Sequence, residues 1–463
     1  MAFGIFKKNN TADVIYMNGH IYTQDSEFPW AEAVACQQGR VLAVGEYDGM
    51  EEIMGKDTQV IDLKGQYMFP GFIDAHDTPV LRAFAERYFN IDPIWDLDTI
   101  LEEGEAYAED CDSPIIFGYG YNENILKDYE TRQDKQNLLD QISTEEPVLF
   151  LGHSGIHCWF NTVAASMIES AAVDEGVEIV TADYILNLLA PFDPEETYNL
   201  VKEEADGITD KGFTTVLDLC APDYFSSIYR DALLSMIGEG EEAAFRFFGS
   251  LYLNRPIPPQ LTHLKLDSGR TACIEMDGRM AYDMLKLEIC DDENLAFFTQ
   301  EALDTICLSA ADKGYHIHLD ALDQPSIEKA LLTFAKIRGK GYRKNALTLA
   351  STRAPLADDG FLSTWPSDYL NESVFGHVTS VEEALDELTI NAARLIGREN
   401  ELGSIERGKR ADFTVFEENP FDRGLGNFAY MQASLTILDG YIVYDLEEAC
   451  AEEMYNLMTS MQL

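Results

Sequence analysis

Basic residues are scarce in this chain. Its 463 residues include 82 aspartates and glutamates but only 33 lysines and arginines, a formal net charge of −49. So acidic a surface repels phosphate backbones, which excludes nucleic acid as a partner. The charge reads as a device for solubility or for a salty interior, with steering of a cationic substrate as the alternative. Long apolar runs are missing as well. No stretch approaches the ~20 residues that span a bilayer, so no membrane partner is expected. The opening MAFGIFKKNN has no long apolar region and no small-residue cleavage site, so it is not read as a secretory signal. A cytoplasmic protein is the expectation. Eight cysteines are scattered without a CxxC pair, which argues against a zinc ribbon and a disulfide framework. No Gly-rich phosphate loop and no Ser–His–Asp arrangement competes for the chemistry.

What is present is a large apolar fraction, 46%, enough for a sizeable core. Length alone suggests roughly three domains, although one α/β barrel can hold 250 residues or more. Both ends read as short strands and turns. ADVIYMNGHIYT carries an Asn18-Gly19 hairpin signal, AEAVACQQGRVLAVG bends at Gln38-Gly39, and ASLTILDGYIVYD turns at Asp439-Gly440. Short strands need partners, so the two ends are expected to pair into one discontinuous β-domain. The middle alternates apolar strands with helical patterns, which implies βα units and a parallel sheet. Candidate strands lie at 68–75, 115–120, 148–152, 214–219, 245–251, 263–267, 316–320 and 346–351. The pair at 245–251 and 263–267 is too close for a full crossover helix.

PGFIDAHDT at 70–78 is an apolar strand that ends in a histidine, and TINAARLIG at 389–397 is followed by LGSIERGKRADFTVF at 402–416. These segments resemble the opening and closing signatures of the amidohydrolase superfamily. FGYGYNEN (117–124) and PVLFLGHSGIHCWFNTVAA (147–165) resemble an insertion typical of its amidohydrolase family 3 branch. GFTTVLD (212–218), FRFFGS (245–250), LKLDSG (264–269) and HIHLDALD (316–323) resemble successive barrel strands of that branch. The resemblance covers nearly the whole chain. It implies an α/β fold, a distorted or incomplete (β/α)8 TIM-like barrel over 68–397 with an inserted α/β subdomain at about 80–205. It also implies a composite β-sandwich of 1–67 plus 398–463, and by lineage a hydrolase of non-peptide carbon–nitrogen bonds.

That chemistry uses a metal-bound hydroxide, and a catalytic zinc takes about three protein ligands with one open position. By resemblance the ligands are two histidines on strand 1, a lysine or glutamate on strand 4 and histidines on strands 5 and 6, with an aspartate on strand 8 as general base. His76 matches the first histidine, but its partner position is Thr78, which cannot replace an imidazole. Alone, His76 also reads as a buried, hydrogen-bonded strand histidine. Lys265 matches the strand-4 lysine that is carboxylated in some relatives. Its structural reading is a pair with a nearby carboxylate, such as Asp267 on the same face. His318 matches the strand-5 ligand, or is a satisfied structural histidine, and His316 precedes it on the same face. No histidine occurs from 319 to 376. If ALTLAST is strand 8, Thr352 stands where the general base is expected.

The residual metal set is therefore His76, Lys265 and His318, with a divalent metal such as zinc expected to be weak or absent and no catalytic residue assigned. His153, His157 and His316 are expected to line a substrate pocket. The partners expected are a small-molecule ligand and a second copy of the chain. Three functions follow: a hydrolase with a reduced metal site, a silent relative that binds a small molecule, or a scaffold.

Overall fold

The computed structural model describes residues 11–77, 79–91, 94–152, 157–177, 180, 182–189, 194–219, 228, 230–235, 245–253, 266–267, 278–289, 298–321, 323–350, 362–364, 378–451 and 454. Seven strands form a wholly parallel sheet in chain order. They are β1 (Phe72–Asp77), β2 (Phe213–Asp218), β3 (Arg246–Leu253), β4 (Met280–Glu288), β5 (His316–Asp320), β6 (Leu347–Ala350) and β7 (Leu362–Thr364). Each pairs with the next, the strand order of a barrel wall.

The fourth strand differs from expectation. It is Met280–Glu288, whereas Leu266 and Asp267 of the segment expected as a strand are helical. The stretch MAYDMLKLE is apolar apart from a few polar positions, and the earlier lysine-bearing segment drew the assignment away from it.

Five helices matter to the site: α1 (Pro194–Thr209), α2 (Gln300–Asp312), α3 (Gln324–Gly339), α4 (Val381–Leu388) and α5 (Ile390–Leu395). Local chemistry sets their ends. Thr299 caps α2 by accepting from the Ala302 amide, and Asp323 caps α3 by accepting from Ser326. Pro325 suits the first turn of α3, and Lys336 and Arg338 suit its last turn, where the helix dipole favours cations.

Leu285, Leu287, Ile317, Leu319, Leu347 and Leu349 point from β4–β6 into one buried cluster with α2 and α3. Each such side chain contributes about 1.5–3 kcal/mol when fully buried. The alternate residues therefore face the other side of the sheet, the inner face. Near its base Phe248 and Met284 pack with Ile73, Leu217 and the α5 residues Ala392 and Ala393. Helix α5 packs on both β1 and β7, the two outermost strands among the described residues, so the sheet curls around it.

A second sheet of eight strands interleaves the two ends of the chain. Its order is Tyr441–Asp445, Leu435–Leu438, Phe413–Phe416, Tyr67–Pro70, Val14–Tyr22, Trp30–Gln37 and Arg40–Gly45, with Gln59–Asp62 also paired to Val14–Tyr22. Turns fall at Gln38-Gly39 and Asp439-Gly440, all four residues at positive φ. Asn18-Gly19 makes no hairpin. It is an irregularity inside the continuous strand Val14–Tyr22, with Asn18 at φ 58°. A bulge meets the same backbone demand as a tight turn, so the dipeptide alone does not separate them.

A third sheet of Phe89–Asn90, Ile116–Tyr121, Val148–Gly152 and Cys158–Phe160 lies between β1 and β2 in sequence. Among the described residues no helix is long and apolar enough to cross a membrane.

Candidate functional site

Four polar side chains stand in one row across the inner face. Tyr252 of β3 is in register with Lys286 of β4, Lys286 with His318 of β5, and His318 with Thr348 of β6. Register partners in a parallel sheet share a face, so the four side chains project together. Tyr252 and Lys286 lie toward the C-terminal ends of β3 and β4, the end where barrel proteins collect functional groups, with His318 at the middle of β5 and Thr348 in the first half of β6.

Lys286 and His318 are fully buried, and Asp320 at the end of β5 serves both. Lys286 Nζ pairs with Asp320 Oδ2, and His318 Nε2 lies 3.0 Å from Asp320 Oδ1. His318 Nδ1 is 2.7 Å from the Thr348 hydroxyl. An ionised carboxylate can only accept, which assigns the ring proton to Nε2 and leaves Nδ1 to accept from Thr348. Burial lowers the proton affinity of His318, Asp320 opposes this, and Lys286 adds to it. Lys286 Nζ also lies 5.9 Å from the centre of the Tyr252 ring, and the Tyr252 hydroxyl donates to Glu288 Oε2 at 2.9 Å. Glu288 and Asp320 are themselves register partners. One cation thus stands among two carboxylates and a neutral imidazole.

The expected site residues are distributed as follows. His318 is in the row. His76 lies in β1, and its side chain falls outside the described atoms. Lys265, His153, Thr78 and Thr352 lie outside the described residues. The inward lysine on the fourth strand is Lys286. Its signal in the sequence was a lone lysine in MAYDMLKLE. Thr348 and Tyr252 carried no signal before the register was known.

His316, expected in a substrate pocket, stands at the base of the sheet. As the first residue of β5 it lies at the opposite end from Asp320. Its Nδ1 accepts from the Ala346 amide at 2.8 Å, and Arg398, which pairs with Asp283, comes to 3.4 Å from its Nε2. His157 is exposed and lines a cavity of about 250 Å³ with Tyr121, Arg132, Trp159 and Phe160, within the third sheet and its flank.

At the base of β3, Arg246 is buried and reaches into the second sheet. It donates to Asp412 and to the Gly278 carbonyl, and it pairs with Asp439. Asp412 belongs to the closing signature LGSIERGKRADFTVF, so part of that signature is an ion-pair clamp between the two larger sheets.

The sequence pattern of the amidohydrolase family matches residues 59–356 and 374–444. The chain belongs to the amidohydrolase family. Over 94% of its length it is 21% identical to an N-substituted formamide deformylase of Arthrobacter pascens, 98% of which is covered. An uncharacterized metal-dependent hydrolase of Pyrococcus furiosus shares its fold at a TM-score of 0.58 and 17% identity, over 88% of this chain and 99% of that one. A second, from Pyrococcus horikoshii, gives 0.57 and 16%, over 88% and 98%.

The two Pyrococcus proteins are metal-dependent hydrolases, and the row in this chain can be tested for the fit of a divalent metal. A metal needs a free imidazole nitrogen and free carboxylate oxygens about 2 Å away. Here His318 Nε2 is turned to Asp320, Asp320 is turned to Lys286, and the cation at their centre is an ammonium. Among the described residues no group of three His, Cys, Asp or Glu side chains could hold a metal ion. Among the described residues, the donors as arranged do not fit the metal.

Proposed function

We propose that this amidohydrolase-family chain descends from hydrolases of non-peptide carbon–nitrogen bonds and binds a small polar molecule at its inner face without metal-dependent turnover. The observation that carries the reading is the buried Lys286–Asp320–His318 group. It keeps a polar, charged row at the functional end of the sheet while committing the would-be metal donors to one another.

The seven-stranded sheet is read as an incomplete (β/α)8 barrel, and residues 1–67 plus 398–463 as a composite β-sandwich. Residues at about 80–205 are read as an insertion. A cytoplasmic homodimer without nucleic-acid or membrane partners is the accompanying expectation, on the charge of −49.

A second reading is favoured by the end-to-end match to the formamide deformylase. In it the chain still cleaves a carbon–nitrogen bond. The two readings separate in one experiment on the purified chain: a thermal-shift and turnover screen of formamides, ureas and N-acyl amino acids, with and without added zinc. Binding of a compound without turnover, unchanged by zinc, is the expected result. Zinc-dependent release of amine would overturn it in favour of the hydrolase.

A further inference from the structure

We propose that the Lys286 side chain is the resident cation of this site, standing where a divalent metal would sit, and that removing it opens a binding site for a small external ammonium ion. The inference rests on the metal-free reading above and deepens it by naming what occupies the metal's place.

Three observations converge. Lys286 lies on the fourth parallel strand and His318 on the fifth, in register, so the two side chains leave the sheet side by side. Both are fully buried, and a buried ammonium is costly unless a carboxylate meets it. Asp320 meets it, and through its other oxygen also holds His318. An ion brought to the metal-binding atoms of His318 and Asp320 would therefore collide with Nζ and be repelled by its charge. The neighbours reinforce the arrangement. Glu288 and the Tyr252 ring lie on the same side, so the surroundings favour a positive charge at this point whatever its source.

Carboxylation of the Lys286 ammonium by carbon dioxide would form an N–C bond, release two protons and leave an anion facing Asp320. The ion pair opposes that exchange, so bicarbonate should not load the site.

The test compares the full-length wild type with Lys286→Ala and Lys286→Met. Zinc per chain is measured by elemental analysis after dialysis, and the thermal midpoint is followed with zinc, with ethylammonium chloride and with sodium chloride as control. The wild type should hold substoichiometric zinc, unchanged by bicarbonate, and its midpoint should not respond to ethylammonium. In Lys286→Ala the lowered midpoint should rise with ethylammonium but not with sodium. Lys286→Met fills the volume without the charge, so ethylammonium should not rescue it.

Stoichiometric zinc on the wild type overturns the proposal. So does a folded Lys286→Ala chain indifferent to ethylammonium. Should Lys286→Ala not fold, Lys286→Arg decides: it keeps the cation and should remain zinc-free, and zinc uptake by it would refute the inference. None of these readouts involves turnover or a ligand of the wild-type inner face, so failure of the functional reading leaves them interpretable.

Discussion

Arg246 and Asp412 clasp each other across the join of the two larger sheets, Nε to Oδ2 at 2.7 Å and Nη2 to Oδ1 at 3.0 Å. Both are almost fully buried. A buried ion pair adds little net stability against an apolar replacement, but losing one partner strands the other charge. Arg246→Met should therefore cost about 3–5 kcal/mol in denaturant unfolding, and Arg246→Met/Asp412→Leu should recover much of that loss. A single-variant loss below ~1 kcal/mol would mean that solvent screens the pair after all.

Two buried histidines make stability depend on pH. Burial is the first cause that lowers the proton affinity of both His316 and His318, against Asp283 and Asp320 respectively, with Arg398 and Lys286 adding to the lowering. The folded chain thus holds them neutral. Above the ordinary value of 6.5 the unfolded chain is neutral too, and they change nothing. As pH falls below it, the unfolded chain gains protons that the folded chain refuses. Stability should drop by up to about 1.4 kcal/mol per pH unit for each histidine. Asp62, Asp96 and Glu383, held below their ordinary values chiefly by backbone hydrogen bonds, act only in the lower carboxylate window. A series of unfolding curves from about pH 7.5 to 5.5 should show the decline, flattened in His318→Gln. A flat wild-type profile would refute it.

The sequence revealed the lineage better than the site. LGSIERGKRADFTVF carries Asp412, which the Arg246 clamp holds at the join of the two larger sheets. That constraint persists whatever the site does. The hairpin turns at Gln38-Gly39 and Asp439-Gly440 were legible for a local reason, positive φ at all four residues. Asn18-Gly19 was misread because a bulge uses the same positive φ. Lys286 was missed because a single lysine in an apolar run looks alike whether it is the inward residue of strand four or of a neighbouring segment. Only register, a long-range property, decided between them. Tyr252 and Thr348 illustrate the limit further: nothing local distinguishes them until the strands are aligned.

Gly212 tests how tightly the sheets are joined. It has φ +87°, and its carbonyl accepts from the Thr414 hydroxyl at 2.5 Å and from the Phe72 amide at 3.2 Å. A Cβ there would run into the Thr414 methyl. Gly212→Ala should cost about 1–3 kcal/mol from the backbone conformation, with the clash in addition. Adding Thr414→Ser, which keeps the hydroxyl and removes the methyl, should return the clash portion alone. No recovery in the double variant would place the whole cost in the backbone.

Ser250 offers a test of the inner face that does not touch the ion pairs. It lies one step below Tyr252 on the same strand and side, is 6% exposed, and its hydroxyl has no hydrogen-bond partner among the described residues. An unsatisfied buried hydroxyl is a liability, and deleting it removes a desolvation cost of about 1–3 kcal/mol. The small cavity left behind offsets part of this, so Ser250→Ala should be neutral to stabilising by about 1 kcal/mol in the unliganded chain. The same variant should bind a screened ligand more weakly if that ligand reaches down to the hydroxyl. A polar molecule seated in the row would give Ser250 a partner. Unfolding curves and ligand titrations on the same preparation separate the two effects. Destabilisation by more than ~1 kcal/mol without ligand would show that the hydroxyl is already satisfied in the resting protein. The inner face would then be packed and bonded before any ligand arrives, and the proposed binding site would have to lie nearer Glu288 and Asp320.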